Sequence, residues 1–426
     1  MTNAALAKLY TVPLHPDTGN PTTGKADLEE MYWRLEQAGA PDRVIELVLE
    51  MRSLDYNINT QIKNWEPKED GRVHTSWGFK APSGQLDSSQ PNVLNLSKWT
   101  ATGQRFRRII EAPANHVFIE FDKARYHITT MGYCSESREY IRFGQLDSHS
   151  IFASHIMPKE WGKAITMDLP EGEILDRANW VKKRCKEVGQ QTGLDLRQVA
   201  KVIVLANQLG QGPRNLYRKN RRHIESEKQA KYYQDYLSDL FPEVTNFKDD
   251  IREVANGFDY RSPNYHRLLK LKARFGGPKF LLLKEWGIID YFFDVFSWRY
   301  NKGQHKWVKA WGTDSEKAVA FPVQGIAFGG LKYEIREMGA RGYLDRYSFI
   351  NSVHDSNVFL CPVRLSDNCL ADVAGVMGKP CDRLVNGATG PEGLRIGLEA
   401  TMGRNLQGKD YFGEGTNPDG MQEVKI

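Results

Sequence analysis

Two aspartates far apart in the chain carry the first chemical signal. Asp122 closes the apolar run HVFIEF, and Asp355 sits in the turn after INSVH. Two strand-end carboxylates meeting at the edge of one sheet are a donor set for a pair of hard divalent cations about 3.5–4 Å apart. Taken singly, each reads first as an ordinary turn acid. A second pattern supplies positive charge. Arg197 and Lys201 stand four apart in RQVAKVIVLANQLG, so a helix puts both on one face, and Leu205 and Leu209 continue that face with a slow drift. Cations beside an apolar strip suit a triphosphate at one end and a base at the other. The same spacing also describes an amphipathic helix with two solvated cations. Downstream, GPRNLYRKNRRH adds Arg214, Arg218, Lys219, Arg221 and Arg222, with no acid between Arg197 and Glu225. HRLLKLKARFGGPKFLLLK then contributes Arg267, Lys270, Lys272, Arg274, Lys279 and Lys284. Local basic runs in a chain of near-balanced charge are either the footprint of a polyanion contact or a solvated face.

The elements that must position these residues are readable from pattern. The 426 residues hold 58 Lys+Arg against 53 Asp+Glu, a net charge of +5, with 40% hydrophobic and 26% charged residues. That length allows two to four structural units with an ample core, and the charged fraction excludes wholesale disorder. No apolar run approaches the roughly 18 residues of a membrane span, and the start MTNAALAKLYTVPLHPDTG has no apolar signal core. A non-secreted, cytoplasmic protein with no membrane partner is expected. Five cysteines (Cys134, Cys185, Cys361, Cys369, Cys381), odd in number and without C-x-x-C, argue against a zinc ribbon or disulfide framework and for reduced thiols. Gly19-Asn-Pro-Thr-Thr-Gly24-Lys25 has a phosphate-loop spacing, but Ala26 stands where Ser or Thr is needed and Pro21 lies inside the cradle, so it reads as a loop.

No period of 20–50 residues recurs. Residues 26–56 have a helical pattern, with Val44, Leu47, Val48, Met51 and Leu54 interleaved with charges. Residues 71–100 are rich in Gly, Ser, Pro and Asn, which predicts extended segments and turns. HVFIEFD (116–122) reads as a strand, Asp147 to Gly257 as mostly helical, and YSFINSVHDSNVFLCPV as two strands joined by a His-Asp-Ser-Asn turn. Strands flanking a long helical block predict an α+β organisation.

Together these segments resemble the polymerase module of family A (Pol I-like) DNA polymerases. HVFIEFDKARYH resembles the first palm motif, with Asp122 as its metal-binding aspartate, and RQVAKVIVLANQLG the fingers helix, with Arg197 and Lys201 as phosphate ligands. NSVHDSNVFLCP resembles the third motif, placing His354 beside the second metal aspartate, Asp355. Four further stretches fall in family order. GRVHTSWGFKAPSGQLDSSQPNVLNL resembles the template-primer segment, with Asn92 and Asn95 at primer-template positions; QLDSHSIFASHI places His149 at a phosphate; YLSDLFPEVTNF resembles later fingers helices; and FPVQG sets Gln324 toward the minor groove.

The resemblance implies a right-hand fold: an antiparallel palm sheet, helical fingers and a truncated helical thumb. The expected division is a partial thumb over 1–70, palm over 71–145 and 286–426, and fingers over 146–285 with a basic insertion at about 256–285. It implies two-metal nucleotidyl transfer, with two Mg²⁺ ions (Mn²⁺ able to substitute) held by Asp122, Asp355 and the main-chain carbonyl of Lys123. Arg197, Lys201 and His149 would clamp the phosphates of a dNTP. Asn92, Asn95, Gln324, His354 and Arg214 would hold primer-template DNA.

Four positions depart from the family pattern. His127 stands where an acid helps exclude a 2′-hydroxyl, Leu205 and Leu209 where the fingers helix is aromatic, Gln85 where the template-primer segment has arginine, and Ser356 where Glu follows the H-D pair, as in single-subunit RNA polymerases. Loss of an aromatic platform removes roughly 1–3 kcal/mol of base stacking. About seventy residues precede the template-primer segment, too few for a 3′–5′ exonuclease, so no proofreading and low processivity are expected. A fragment, or one half of a split enzyme whose second polypeptide supplies thumb, exonuclease or processivity function, fits the same observation. The expected activity is a template-directed DNA polymerase; an RNA-synthesising or sugar-indiscriminate polymerase and a non-catalytic nucleic-acid-binding subunit are the alternatives. Clustered cations in a chain of net charge +5 predict that duplex DNA affinity falls steeply, by at least about tenfold, between 50 and 200 mM salt in a titration. A flat salt response would refute a clustered phosphate contact.

Overall fold

Short polar residues cap six helices in the computed structural model, which describes residues 23–78, 86–94, 96, 98, 100–192, 195–220, 223–301 and 305–426. Gln85, Asn95, Arg221, Arg222 and residues 19–22 of the loop-like Gly19–Lys25 stretch lie outside the described residues. Helices α1 (Lys25–Gln37) and α2 (Arg43–Tyr56) come first, the second capped by Asp42, whose carboxylate accepts from the Val44 and Ile45 amides. They pack through Leu28, Met31, Ile45 and Val48. Val44, Leu47, Met51 and Leu54, apolar in the sequence pattern, are exposed. A small hairpin of β1 (Ser76–Gly78) and β2 (Asp87–Ser89) leads to α3 (Ala101–Arg108) and then to β3 (His116–Ala124).

After β3 the chain is helical, as its pattern predicts. α4 (Tyr126–Cys134), α5 (Arg138–Gln145), α6 (Ser148–Ile156), α7 (Glu171–Thr192), α8 (Leu196–Gln208), α9 (Pro213–Lys219), α10 (Glu227–Leu240), α11 (Pro242–Asn256) and α12 (Tyr265–Phe275) follow in turn. Ser137, Asp147, Asp195 and Ser226 cap α5, α6, α8 and α10, and Pro213 and Pro242 open α9 and α11. Two hairpins come next, β4 (Phe280–Leu283) with β5 (Ile288–Tyr291) and β6 (Phe296–Asn301) with β7 (Lys306–Trp311). Helix α13 (Ser315–Ala340) and short α14 (Tyr343–Arg346) lead to β8 (Phe349–Val353), β9 (Ser356–Pro362), α15 (Ser366–Met377), β10 (Gly397–Gly403) and β11 (Gln422–Val424). The predicted four-residue turn between β8 and β9 is shorter, because Ser356 and Asn357 already pair with β3. None of the described helices is long and apolar enough to cross a membrane.

β3 lies at the centre of a five-stranded sheet of order β11-β10-β3-β9-β8, with antiparallel neighbours throughout. Side chains alternate along it. Ile119 and Phe121 face a core with Leu331, Met338, Phe359, Val373 and Met377, which seats α13 and α15 on the sheet. Lys123 shares that buried face, and its ammonium donates to the Glu334 carboxylate at 2.6 Å and to the Met377 carbonyl. Phe118, Glu120 and Asp122 face the other way. The larger core lies among α4–α13.

Helices α4 and α5 approach through two glycines. A Cβ on Gly132 would sit 2.6 Å from the Ile141 amide nitrogen, and one on Gly144 would sit 2.6 Å from the Thr129 hydroxyl and 2.8 Å from its amide nitrogen. Backbone neighbours cannot swing aside, so Gly132→Ala and Gly144→Ala should each cost about 1–3 kcal/mol, read as a lowered midpoint in denaturant melts. An unchanged midpoint would show that the two helices are not held in contact.

Candidate active site

The site begins with one register. Asp122 on β3 pairs opposite Ser356 on β9 and opposite Glu399 on β10. The amide of Lys123 donates to the Asp355 carbonyl at 3.1 Å, which draws the β8–β9 turn against the end of β3. Asp122 therefore meets Asp355 across strands and Glu399 from the other side. Burial first, then the Asp355 charge, pushes the Asp122 carboxyl up from 3.8 to about 7; Lys98 opposes this, and Glu120 and Glu399 add to it.

The same sheet face carries a compensating network. The Lys98 ammonium lies 2.6 Å from Glu120 and 3.7 Å from Asp122, and Arg107 lies 3.9 Å from Glu120. The Ser356 hydroxyl donates to Glu120 at 2.8 Å. Burial acts to raise the Glu120 carboxyl, but Lys98, its hydrogen bond and Arg107 outweigh it and hold the group below its usual range. Lys98, Arg107, Glu120 and Asp122 line a cleft of about 210 Å³ with Glu399, Thr401 and Glu423.

A cationic group assembles from α6 and α8. Arg197, in the first turn of α8, donates from Nε to the Ser150 hydroxyl at 3.0 Å and from Nη2 to both Asp147 oxygens at 3.0 and 3.2 Å. Asp147 also accepts from the Ser150 amide, so one carboxylate starts α6 and holds the guanidinium. Burial and then Arg197 push the His149 imidazole down to about 3; Asp147 opposes this, while Lys201 and Arg125 add to it. His149 is thus neutral at neutral pH, among three cations. Burial and Arg197 also lower the Lys201 ammonium. The half-exposed positions of α8 run Arg197, Lys201, Leu205 and Leu209, while Val199, Ala200, Ile203 and Val204 are buried, so the face read from the sequence is the one presented.

Residues 122–127 join the two groups. Asp122 and Lys123 end β3, and Arg125, in a left-handed conformation at φ 52°, turns the chain into α4 and donates to the Gly144 carbonyl at 2.9 Å. His127 follows, its imidazole lowered by burial and by His354 against the pull of Asp355. One six-residue segment therefore reaches both the acids and the cations.

Other predicted residues stand further out. His354 is exposed at φ 56° beside Asp355, Gln324 is half-buried on α13, and Arg214 is exposed on α9. The Asn92 carbonyl oxygen accepts from the Leu94 amide and the Ser88 hydroxyl, which shapes the turn after β2. In the basic stretch 256–285, Arg267 pairs with Asp250, and Lys270 and Arg274 with Glu136, so these cations dock α12 onto its neighbours. Sequence reasoning missed Lys98, Glu120, Arg125, Asp147 and Glu399. Glu120 had a signal, since a strand puts residues two apart on one face. Glu399 had none, because its place depends on strand pairing.

Among the described residues no group of three or more His, Cys, Asp or Glu side chains forms a ready metal cage. Two neighbouring carboxylates, Asp122 and Asp355, are nonetheless a hard-oxygen donor set that fits Mg²⁺, which keeps several waters and shares its shell with substrate phosphates.

No family model matches the chain. Local sequence is similar to DNA polymerase I of Pseudomonas aeruginosa, 29% identical over 120 residues, covering 28% of this chain and 13% of that protein. It is also similar to thermostable DNA polymerase I of Thermus thermophilus, 30% identical over 117 residues, covering 26% of this chain and 14% of that protein. The matched segments thus span about one seventh of those relatives or less. In structure the chain is similar to the POL domain of Pol1 from M. smegmatis in complex with DNA primer-template and dNTP, with a TM-score of 0.63, 16% identity, and coverage of 95% of this chain and 60% of that one. The fold is that of this α+β polymerase domain.

A carboxyl whose folded value lies above its unfolded one costs stability when ionised, so the Asp122 cost grows as pH rises from about 4 to about 7. Asp122→Asn should melt a few degrees above the wild type at pH 8 without metal and with it near pH 4, by differential scanning calorimetry. Equal melting at both pH values would mean that ionising Asp122 costs the fold nothing.

Proposed function

We propose that this chain, which resembles the polymerase module of family A DNA polymerases, is a template-directed DNA polymerase that adds dNTPs to a primer 3′-hydroxyl. The observation that carries the reading is the segment 122–127, which joins an acid pair to a group of cations across one turn. Asp122, Asp355 and the Lys123 main-chain carbonyl would hold two Mg²⁺ ions, which supply a more acidic primer hydroxyl and neutralise triphosphate charge. Every other part of the reading belongs to this chain's own side chains. Arg197 and Lys201 bind the triphosphate, with Arg125 adding charge near them. Neutral His149 offers a ring nitrogen to a phosphate without repelling the adjacent guanidinium. Its Nε2 is buried and, among the described residues, has no hydrogen-bond partner, which fits an incoming ligand.

Leu205 and Leu209 give the base an apolar but non-aromatic wall, while Gln324, His354, Asn92, Asn95, Gln85 and Arg214 are assigned to primer-template. In this reading the sheet with its flanking helices (71–145 and 286–426) is the palm, 146–285 the fingers, and 1–70 a partial thumb. On the same reading this chain's residues carry no 3′–5′ proofreading, and the likeness of 95% of them to a polymerase domain supports it. A sugar-indiscriminate variant is favoured by His127, which faces Asp355 and His354 where the family pattern has an acid.

Primer extension with dNTPs and Mg²⁺ is the direct assay. Asp122→Ala and Asp355→Ala should each lower kcat by about 10³-fold or more, and Lys201→Ala should raise the KM for dNTP by about tenfold. Full activity in either aspartate variant would overturn the reading. Equal use of rNTPs and dNTPs would select the sugar-indiscriminate form.

A further inference from the structure

The β6–β7 hairpin is not used by the reading above. Its register pairs Phe296 with Trp311, Trp298 with Lys309 and Tyr300 with Trp307, so these six residues share one face. Phe296 packs against the main core, but Trp298 is 67% exposed, Tyr300 48%, Trp307 64% and Trp311 49%. Four large rings left in water on one ribbon are far from what an isolated surface needs. Cations accompany them. Lys309 lies 3.8 Å from the Phe296 ring centroid and 2.8 Å from Glu253, and Arg252 of α11 stacks on Trp311 at 4.1 Å. Between Asp294 and Asp314 the sequence holds Arg299, Lys302, Lys306 and Lys309 and no acid.

Exposed rings on one face of a ribbon that carries cations and no acid of its own, its Lys309 paired with Glu253 of α11, match the two requirements of an unpaired nucleic-acid strand: flat faces for successive bases and positive charge for the backbone. A duplex would offer its phosphates but not its base faces. The hairpin also stands at the base of α13, and Gln324 lies nine residues further along that helix, about 14 Å at 1.5 Å per residue. A strand seated on the hairpin is therefore within a few nucleotides of the residue assigned to the duplex.

We propose that the exposed face of the β6–β7 hairpin, through Trp298, Tyr300 and Trp307, binds the unpaired template strand ahead of the primer terminus. This rests on the polymerase reading for which strand is bound, but not for the binding itself. The test is equilibrium binding, in EDTA, of fluorescent primer-templates carrying a 3- or a 20-nucleotide 5′ template overhang. The wild type should bind the long overhang more tightly. W298A/W307A should lose that gain, about tenfold or more, while its affinity for the short overhang and its melting curve stay unchanged. W298F/W307F should restore part of the gain, and quenching of tryptophan emission by single-stranded DNA should disappear in W298A/W307A. An undiminished overhang gain in W298A/W307A would overturn the proposal. So would a concentration-dependent dimer, seen by sedimentation, that W298A/W307A abolishes without altering overhang binding, because that result assigns the face to a second copy. Because no turnover is involved, a protein that binds the long overhang through these rings but extends no primer sinks the polymerase reading and leaves this one standing.

Discussion

The pairing of β3 with β9 in a single register governs the rest of the structure. With Asp122 opposite Ser356, the Lys123 amide reaches the Asp355 carbonyl, and the two aspartates share one end of the sheet. Strand side chains alternate, so a slip of one residue would turn Asp122 into the apolar core and Lys123 out into the cleft. The Lys123 ammonium opposes that slip. It is buried against Glu334 and the Met377 carbonyl, and moving it would leave both without their donor. The same residue thus locks the register from the core side while its backbone closes the site.

Gathering like charges is costly, and the surroundings show how the cost is contained. Lys98 and Arg107 surround Glu120, the Ser356 hydroxyl is spent on it, and Asp147 occupies Arg197. Lys98 also approaches Asp122, but burial and then the Asp355 charge outweigh it, and the Asp122 carboxyl rises. The sheet face holds a charge imbalance at one point and not across its whole width. A divalent cation has its strongest effect where that imbalance lies.

Much of this was legible in the sequence because the signals were local. The strand 116–122, the helical block to Gly257 and the one-sided spacing of Arg197, Lys201, Leu205 and Leu209 needed only periodicity, and the structure presents each as read. What could not be read depended on partners chosen by the fold. Glu399 enters through strand pairing, and Arg267, Lys270 and Arg274, which look like a polyanion footprint, meet Asp250 and Glu136 instead. In α2 the apolar period was real, but the residues turned toward α1 are Ile45 and Val48, and periodicity alone does not say which of two apolar faces is covered.

The Arg197–Asp147 pair gives the cation group a built-in competitor. A ligand arriving at Arg197 must offer more than the carboxylate already there, so a single weakly charged group gains little by exchange, whereas a chain of phosphates reaching Lys201 as well gains at two points. When such a ligand departs, Asp147 is already positioned by the start of α6 to take the guanidinium back. The pair acts as a return spring in the electrostatic sense: it weakens retention of small anions and favours the free state.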